Sequence, residues 1–169
     1  MSSLTFSEFV YVVLLALLPV SEVRGAIPLA YYIASDGLLR SYLVVASVLA
    51  NCLLPVILVP TLKYLEGLLI RLGRHNGLIA RFVDLYMAVV RDARRRSRKY
   101  LDRWGYLGLT VFVAIPLPGT GAWTGSLVAY VFDLNKAKSI LSIVVGVIIA
   151  SALVILAMEG VLSFLKVFL

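Results

Sequence analysis

The chain of 169 residues has one cysteine, Cys52, and one histidine, His75. A lone thiol excludes an intrachain disulfide. Cys52, set in an apolar run, reads as a small core residue. His75 falls in the turn pattern Arg74-His75-Asn76-Gly77 and reads as a solvated turn histidine. No Cys, His or carboxylate pair has metal-ligand spacing, so no metal and no other cofactor is expected. The same scarcity leaves no Ser–His pair and no paired hydrolytic carboxylates, which argues against an intramembrane enzyme. Acidic residues number nine against sixteen Lys and Arg, for a net charge of +7. The apolar run Leu4–Leu18 has no basic leader and no small-residue cleavage site, and it carries Glu8. It reads as mature protein rather than a signal peptide.

Apolar residues, in contrast, make up 62% of the chain, and mean hydropathy is +1.00. Soluble domains run roughly 45–50% apolar. The pattern predicts a single all-α integral membrane domain over 1–169. Five segments emerge, at about 4–34, 40–61, 63–103, 106–132 and 139–158. The second and fifth would form helices of about 30–33 Å, enough to span a hydrocarbon core of about 30 Å.

The first and fourth segments are interrupted. One break runs from Pro19 to Pro28, and the other from Pro116 to Gly125. Pro19, Pro28, Pro116, Pro118 and Gly125 read as the residues that break helical structure. The arms Leu4–Leu18 and Tyr106–Ile115 would reach only about 22 Å and about 15 Å. Each broken segment therefore reads as a re-entrant hairpin, with a proline-kinked full crossing as the alternative. A shift of 99 residues places Pro19 on Pro118, Ala30-Tyr31 on Ala129-Tyr130 and Asp36 on Asn135. Each half, 1–62 and 104–169, then crosses the membrane once. The second half is inverted relative to the first, giving an inverted repeat of re-entrant helical hairpin plus transmembrane helix. Each hairpin tip needs cover, which favours a homodimer unless the hairpins cover each other.

Eleven of the sixteen basic residues lie between Lys63 and Arg103. This stretch is predicted to be a basic amphipathic cytoplasmic helical segment, hinged at Gly73–Gly77, between the halves. The positive-inside rule places it in the cytoplasm of a multi-pass protein of the cell (plasma) membrane, with both termini extracytoplasmic. Topology and lipid headgroups account for the charge, and no nucleic-acid recognition motif accompanies it.

Glu22 and Arg24 stand in the first break, and a charge at membrane depth costs about 3 kcal/mol. Three readings remain open: a buried pair with no other role, a loop at the interface, or a functional site. In the functional reading the planar fork of Arg24 suits a phosphate or carboxylate. Glu22 is then the proton-coupling residue, since burial favours its protonated form while Arg24 opposes it. Gly119, Thr120 and Gly121 offer successive backbone N–H groups as an anion nest. Trp123 either stacks on substrate or belongs to an interfacial belt. Asn51 bonds across helices or fills the carbonyl gap opened by Pro55, and the second explanation suffices. Ser151 reads as packing, and Glu159 as solvated at a helix end.

The stretches Glu22–Pro28 and Pro116–Gly125 resemble the two signatures of the small multidrug export protein family of prokaryotic membrane proteins, within a resemblance that covers nearly the whole chain. Drug export is what that resemblance implies. More distantly, Pro116-Leu117-Pro118-Gly119 is similar to a stretch of the DedA membrane proteins, which implies proton-dependent handling of lipids, including polyprenyl phosphate carriers. The acidic residue that follows in the DedA pattern is Thr120 here, so a proton-carrying role rests on Glu22 alone. The leading expectation is a proton-coupled transporter or flippase for an amphipathic anion such as a lipid phosphate. Arg24, Gly119, Thr120, Gly121 and Trp123 would bind it, and protons and membrane lipids would be its other partners. The alternatives are a small-molecule exporter, where cationic cargo would favour Glu22 over Arg24, and a membrane-shaping or lipid-binding structural protein.

Overall fold

The computed structural model describes residues 6–73, 105–117 and 119–168. Six helices and no strands appear among the described residues. They are α1 (Phe6–Leu17), α2 (Glu22–Ile33), α3 (Gly37–Gly73), α4 (Gly105–Ala114), α5 (Ala122–Val131) and α6 (Lys136–Phe168). Two are long and apolar enough to cross a membrane, over Gly37–Leu68 and Lys136–Val161. The other four run about 15–18 Å each at 1.5 Å per residue, about half a hydrocarbon core.

α1 lies alongside the first half of α3. Phe9 stacks on Tyr42 with ring centroids 5.8 Å apart, and one helix-length on, Asn51 Nδ2 donates to Ala16 O at 2.7 Å. α2 packs against α1 and α3. It ends where α3 begins, and there Arg40 Nε and Nη2 both donate to Ala34 O at 3.3 Å.

In the second half, α4 and α5 lie against α6. Lys138 Nζ lies 5.5 Å from the centroid of the Tyr106 ring at the start of α4. One turn on, the Thr110 hydroxyl reaches Ser142 O at 3.1 Å. Near the end of α4, Val113 seats against Gly146 of α6 and Gly125 of α5, where an added Cβ would meet its side chain at 2.7 Å. After α5, the Asn135 N–H donates to Tyr106 Oη at 3.1 Å, back at the start of α4.

The two long helices run antiparallel. Near the start of α3, Arg40 Nη1 lies 3.9 Å from Glu159 Oε1 of α6, and Tyr31 Oη donates to the same oxygen at 2.7 Å. Near its other end, Lys63 Nζ lies 2.7 Å from Asp133 Oδ1, just before α6. Val23, Ile27, Leu54, Val113, Ala122, Ile143 and Val147 form a buried core that joins the halves. Leu49, Leu53, Ile57, Ile148, Leu153 and Leu156 leave an exposed apolar surface on the long helices.

Several sequence boundaries need correction. α3 continues through Pro55, Pro60 and Thr61 to Gly73, because no residue caps it at Leu62 and the leucine-rich stretch beyond is itself helical. α6 likewise passes Met158 to Phe168. Pro28 does not break the chain: it sits inside α2, where its missing N–H leaves only the Arg24 carbonyl without its helical partner. Gly125 is inside α5. The breaks are therefore shorter than the proline and glycine pattern suggested, 18–21 and 115–121. Pro118, His75 and the basic segment beyond Gly73 lie outside the described residues.

Candidate functional site at the junction of the two breaks

The first break turns at Pro19 and Val20, both exposed. Ser21 closes α1 by donating its hydroxyl to Leu15 O at 2.6 Å. Glu22 follows with φ +47, a left-handed conformation that costs a residue with a Cβ about 1–2 kcal/mol. The Glu22 carboxylate accepts from the N–H groups of Ala122 at 3.1 Å and Trp123 at 3.2 Å, the first two residues of α5. It also accepts from Arg24 Nη1 at 3.2 Å. Glu22 is 2% exposed.

Gly121, the residue before α5, supplies no side-chain cap. The orphan donors of that helix start are met instead by a carboxylate from the other half of the chain, where the helix dipole also favours negative charge. Gly121 makes the approach possible, because a Cβ there would run into the Glu22 carboxylate.

Arg24 performs the converse task at the end of α4. Its Nη2 lies 3.0 Å from Ile115 O, 3.1 Å from Thr120 Oγ1 and 3.2 Å from Val113 O. The pair thus caps two helix ends of opposite polarity, one by each charge. Both side chains are largely withdrawn from water, and this many hydrogen bonds is what a buried ion pair needs to offset its desolvation.

The Trp123 indole N–H donates to Leu17 O at 2.9 Å, so its polar edge ties α5 to the end of α1. The Thr120 hydroxyl reaches Ile115 O at 2.7 Å and Leu117 O at 2.9 Å, and the Thr120 N–H is directed at Leu117 O. Gly119 is exposed with φ +82. The structure thus brings Glu22, Arg24, Thr120, Gly121 and Trp123 together and leaves Gly119 and Pro116 at the rim. The donors pointing inward belong to Ala122 and Trp123 rather than to an earlier glycine.

Asn51 departs from the simpler sequence reading. Its amide crosses to Ala16 O instead of filling the carbonyl gap left by Pro55. It is fully buried, and its Oδ1 has no hydrogen-bond partner. The signal was an Asn in the middle of an apolar span, but its target on another helix had no local signature. Ser151 donates to Val147 O within its own helix at 2.7 Å. Glu159, half-exposed, holds Tyr31 and Arg40. Among the described residues, no three His, Cys, Asp or Glu side chains cluster as metal ligands would.

A family model described as "Putative small multi-drug export protein" matches residues 22–153. The chain belongs to the small multidrug export protein family. The match begins at Glu22, just after the first break, and takes in α2, the whole of α3, the second break and the first half of α6. No curated protein and no solved structure matched the chain, and the more distant DedA similarity is not among the matches. For a small multidrug export protein, the name and the two long apolar helices together describe a membrane protein with a transporter-like role.

Proposed function

We propose that this chain is a proton-coupled transporter of an amphipathic anion, with a lipid phosphate as the cargo that fits best, and that the junction of the two breaks is its substrate site. The observation that carries the reading is an anion already bound there: the Glu22 carboxylate rests on the start of α5 beside Arg24. Two helix N–H groups and one guanidinium N–H are the donors a phosphate or carboxylate headgroup requires.

When Glu22 takes up a proton it loses its charge, and its hold on those donors weakens. Arg24 stays cationic and stays fixed by the α4 carbonyls. A substrate anion can then replace the carboxylate, so one proton is taken up for each anion bound. Fully desolvated phosphate oxygens would find partners there, which offsets the cost of burying them. Among the described residues, the charged side chains at the junction are one carboxylate and one guanidinium. With Glu22 protonated the site is net positive, which favours anionic cargo.

The membrane arrangement belongs to the same reading. α1–α2 and α4–α5 are taken as re-entrant hairpins entering from opposite faces of the plasma membrane, within an inverted repeat. The parallel course of α1 on α3 and α4 on α6, together with the antiparallel long helices, supports this. Charge asymmetry places both termini outside the cytoplasm. The hairpin tips cover each other within one chain, so the reading needs one copy and no catalysis.

The family description favours a second reading, export of cationic drugs. A cation would compete with the proton for Glu22 and bind more tightly as pH rises, whereas the anion binds more tightly as pH falls. The deciding experiment measures a fluorescent short-chain phosphate lipid and a cationic dye crossing proteoliposome membranes between about pH 5 and 8, the range where buried carboxylates titrate. Movement of the phosphate lipid that increases toward acid supports the proposal. Movement of the dye alone, increasing toward alkali, replaces it with the second reading.

A further inference from the structure

α2 and α5 each start at the junction and end in a contact with the opposite half of the chain. α2 opens with Glu22 and Arg24 and reaches Tyr31 about 14 Å further on. Tyr31 Oη donates to Glu159 Oε1 of α6 at 2.7 Å. The Arg40 guanidinium covers the same tyrosine, 4.7 Å from its ring centroid, and its Nη1 lies 3.9 Å from the same Glu159 oxygen. α5 opens with the Ala122 and Trp123 N–H groups that hold Glu22. It leads at its far end to Asp133, whose Oδ1 lies 2.7 Å from Lys63 Nζ of α3.

The two contacts sit at opposite ends of the molecule. On α3, Arg40 and Lys63 stand about 17–18 Å to either side of Asn51, which is bonded to the end of α1 at the level of the junction. Both contacts are made in this structure, and Glu22 between them is buried. The junction is therefore shut toward both ends.

Strength separates these contacts from the pair at the centre. The Glu159 and Asp133 side chains are about half exposed, and an exposed ion pair biases an equilibrium by about fivefold at most. Such contacts can break once in every cycle. The buried Glu22–Arg24 pair is far costlier to split.

We propose that the two contacts are latches on the two ends of the junction, and that α2 and α5 are the rods that work them. Tyr31, Arg40 and Glu159 close the Arg40 end, and Lys63 and Asp133 close the Lys63 end. The inference rests on the transport reading above and adds how the site is reached. While Glu22 is ionised it bonds the start of α2 to the start of α5, and both latches hold. When substrate displaces the carboxylate, the rods are free to move relative to each other. One latch then opens while the other stays closed, which exposes the junction to one face at a time.

The test reads water access to two buried serines in a Cys52→Ser background. Ser151 lies on the half of α6 nearer Glu159, and Ser126 lies on α5 between the junction and Asp133. Each donates to a carbonyl of its own helix, so Ser151→Cys and Ser126→Cys are near-isosteric probes. Asp36→Cys and Asn135→Cys mark the faces at the Arg40 and Lys63 ends. An impermeant thiol reagent is applied from each face of proteoliposomes without substrate. Glu159→Ala should speed labelling of Ser151→Cys about two- to fivefold, from the Asp36 face, and leave Ser126→Cys unchanged. Asp133→Asn, which suits the left-handed backbone there (φ +52), should do the same for Ser126→Cys from the Asn135 face. Where either variant melts below the wild type in detergent, Tyr31→Phe and Lys63→Met replace them, with the same expectation. Labelling that rises at both probes together, at neither, or from the opposite face overturns the proposal. No substrate is used, so that failure leaves the transport reading standing. The transport reading fails separately if transport in Glu22→Gln keeps its pH dependence.

Discussion

Glu22 and Arg24 are singled out in the sequence because charge is costly at membrane depth. Their partners are not legible there: the helix start that Glu22 caps lies 100 positions away, and no local pattern encodes that contact. Arg24 bridges Glu22 through Nη1 and the end of α4 through Nη2. A lysine offers one compact charge without that fork. Arg24→Lys is therefore expected to keep the fold and lose most transport. Arg24→Ala leaves Glu22 buried without its cation and should destabilise by about 3–5 kcal/mol, read as a lower melting temperature in detergent. Two neighbouring glycines should behave differently. Gly121→Ala forces the Glu22 carboxylate off α5 and should lose both stability and transport. Gly119→Ala meets open space and should cost only the left-handed strain, about 1–2 kcal/mol. Equal, small effects from the two substitutions would contradict the packing described.

Helix existence is legible at the scale of elements, because apolar length and proline position report it directly. Boundaries are less so. Pro28 and Gly125 look like breaks in sequence yet lie inside α2 and α5: α2 forgoes one helical hydrogen bond at Pro28, and Val113 of α4 fills the space over Gly125. The turn that does break the first segment holds Ser21 and a left-handed Glu22, chemistry that a proline count overlooks. The proposed hairpins make a sharp labelling prediction. In a Cys52→Ser background, Ser7→Cys and Asp36→Cys should react with an impermeant thiol reagent from the same face, and Asn135→Cys from the opposite face. Labelling of Ser7→Cys and Asp36→Cys from opposite faces would mean a kinked full crossing in place of the first hairpin.

For the whole molecule, the two halves meet where all four interrupted helix ends converge beside the middle of α3. In the proposed function, the electrostatics there link the proton to the anion. Linkage is reciprocal: if a proton on Glu22 strengthens anion binding, the anion strengthens proton binding by the same factor. The most direct test is the affinity of purified wild-type protein and Glu22→Gln for a soluble short-chain phosphate lipid between about pH 5 and 8. The account predicts that wild-type affinity rises toward acid by up to about tenfold per pH unit, the limit for one linked proton. Glu22→Gln should bind with a nearly flat profile at the level the wild type reaches when protonated. A Glu22→Gln profile as steep as the wild type, or a wild-type affinity that rises toward alkali, would contradict it.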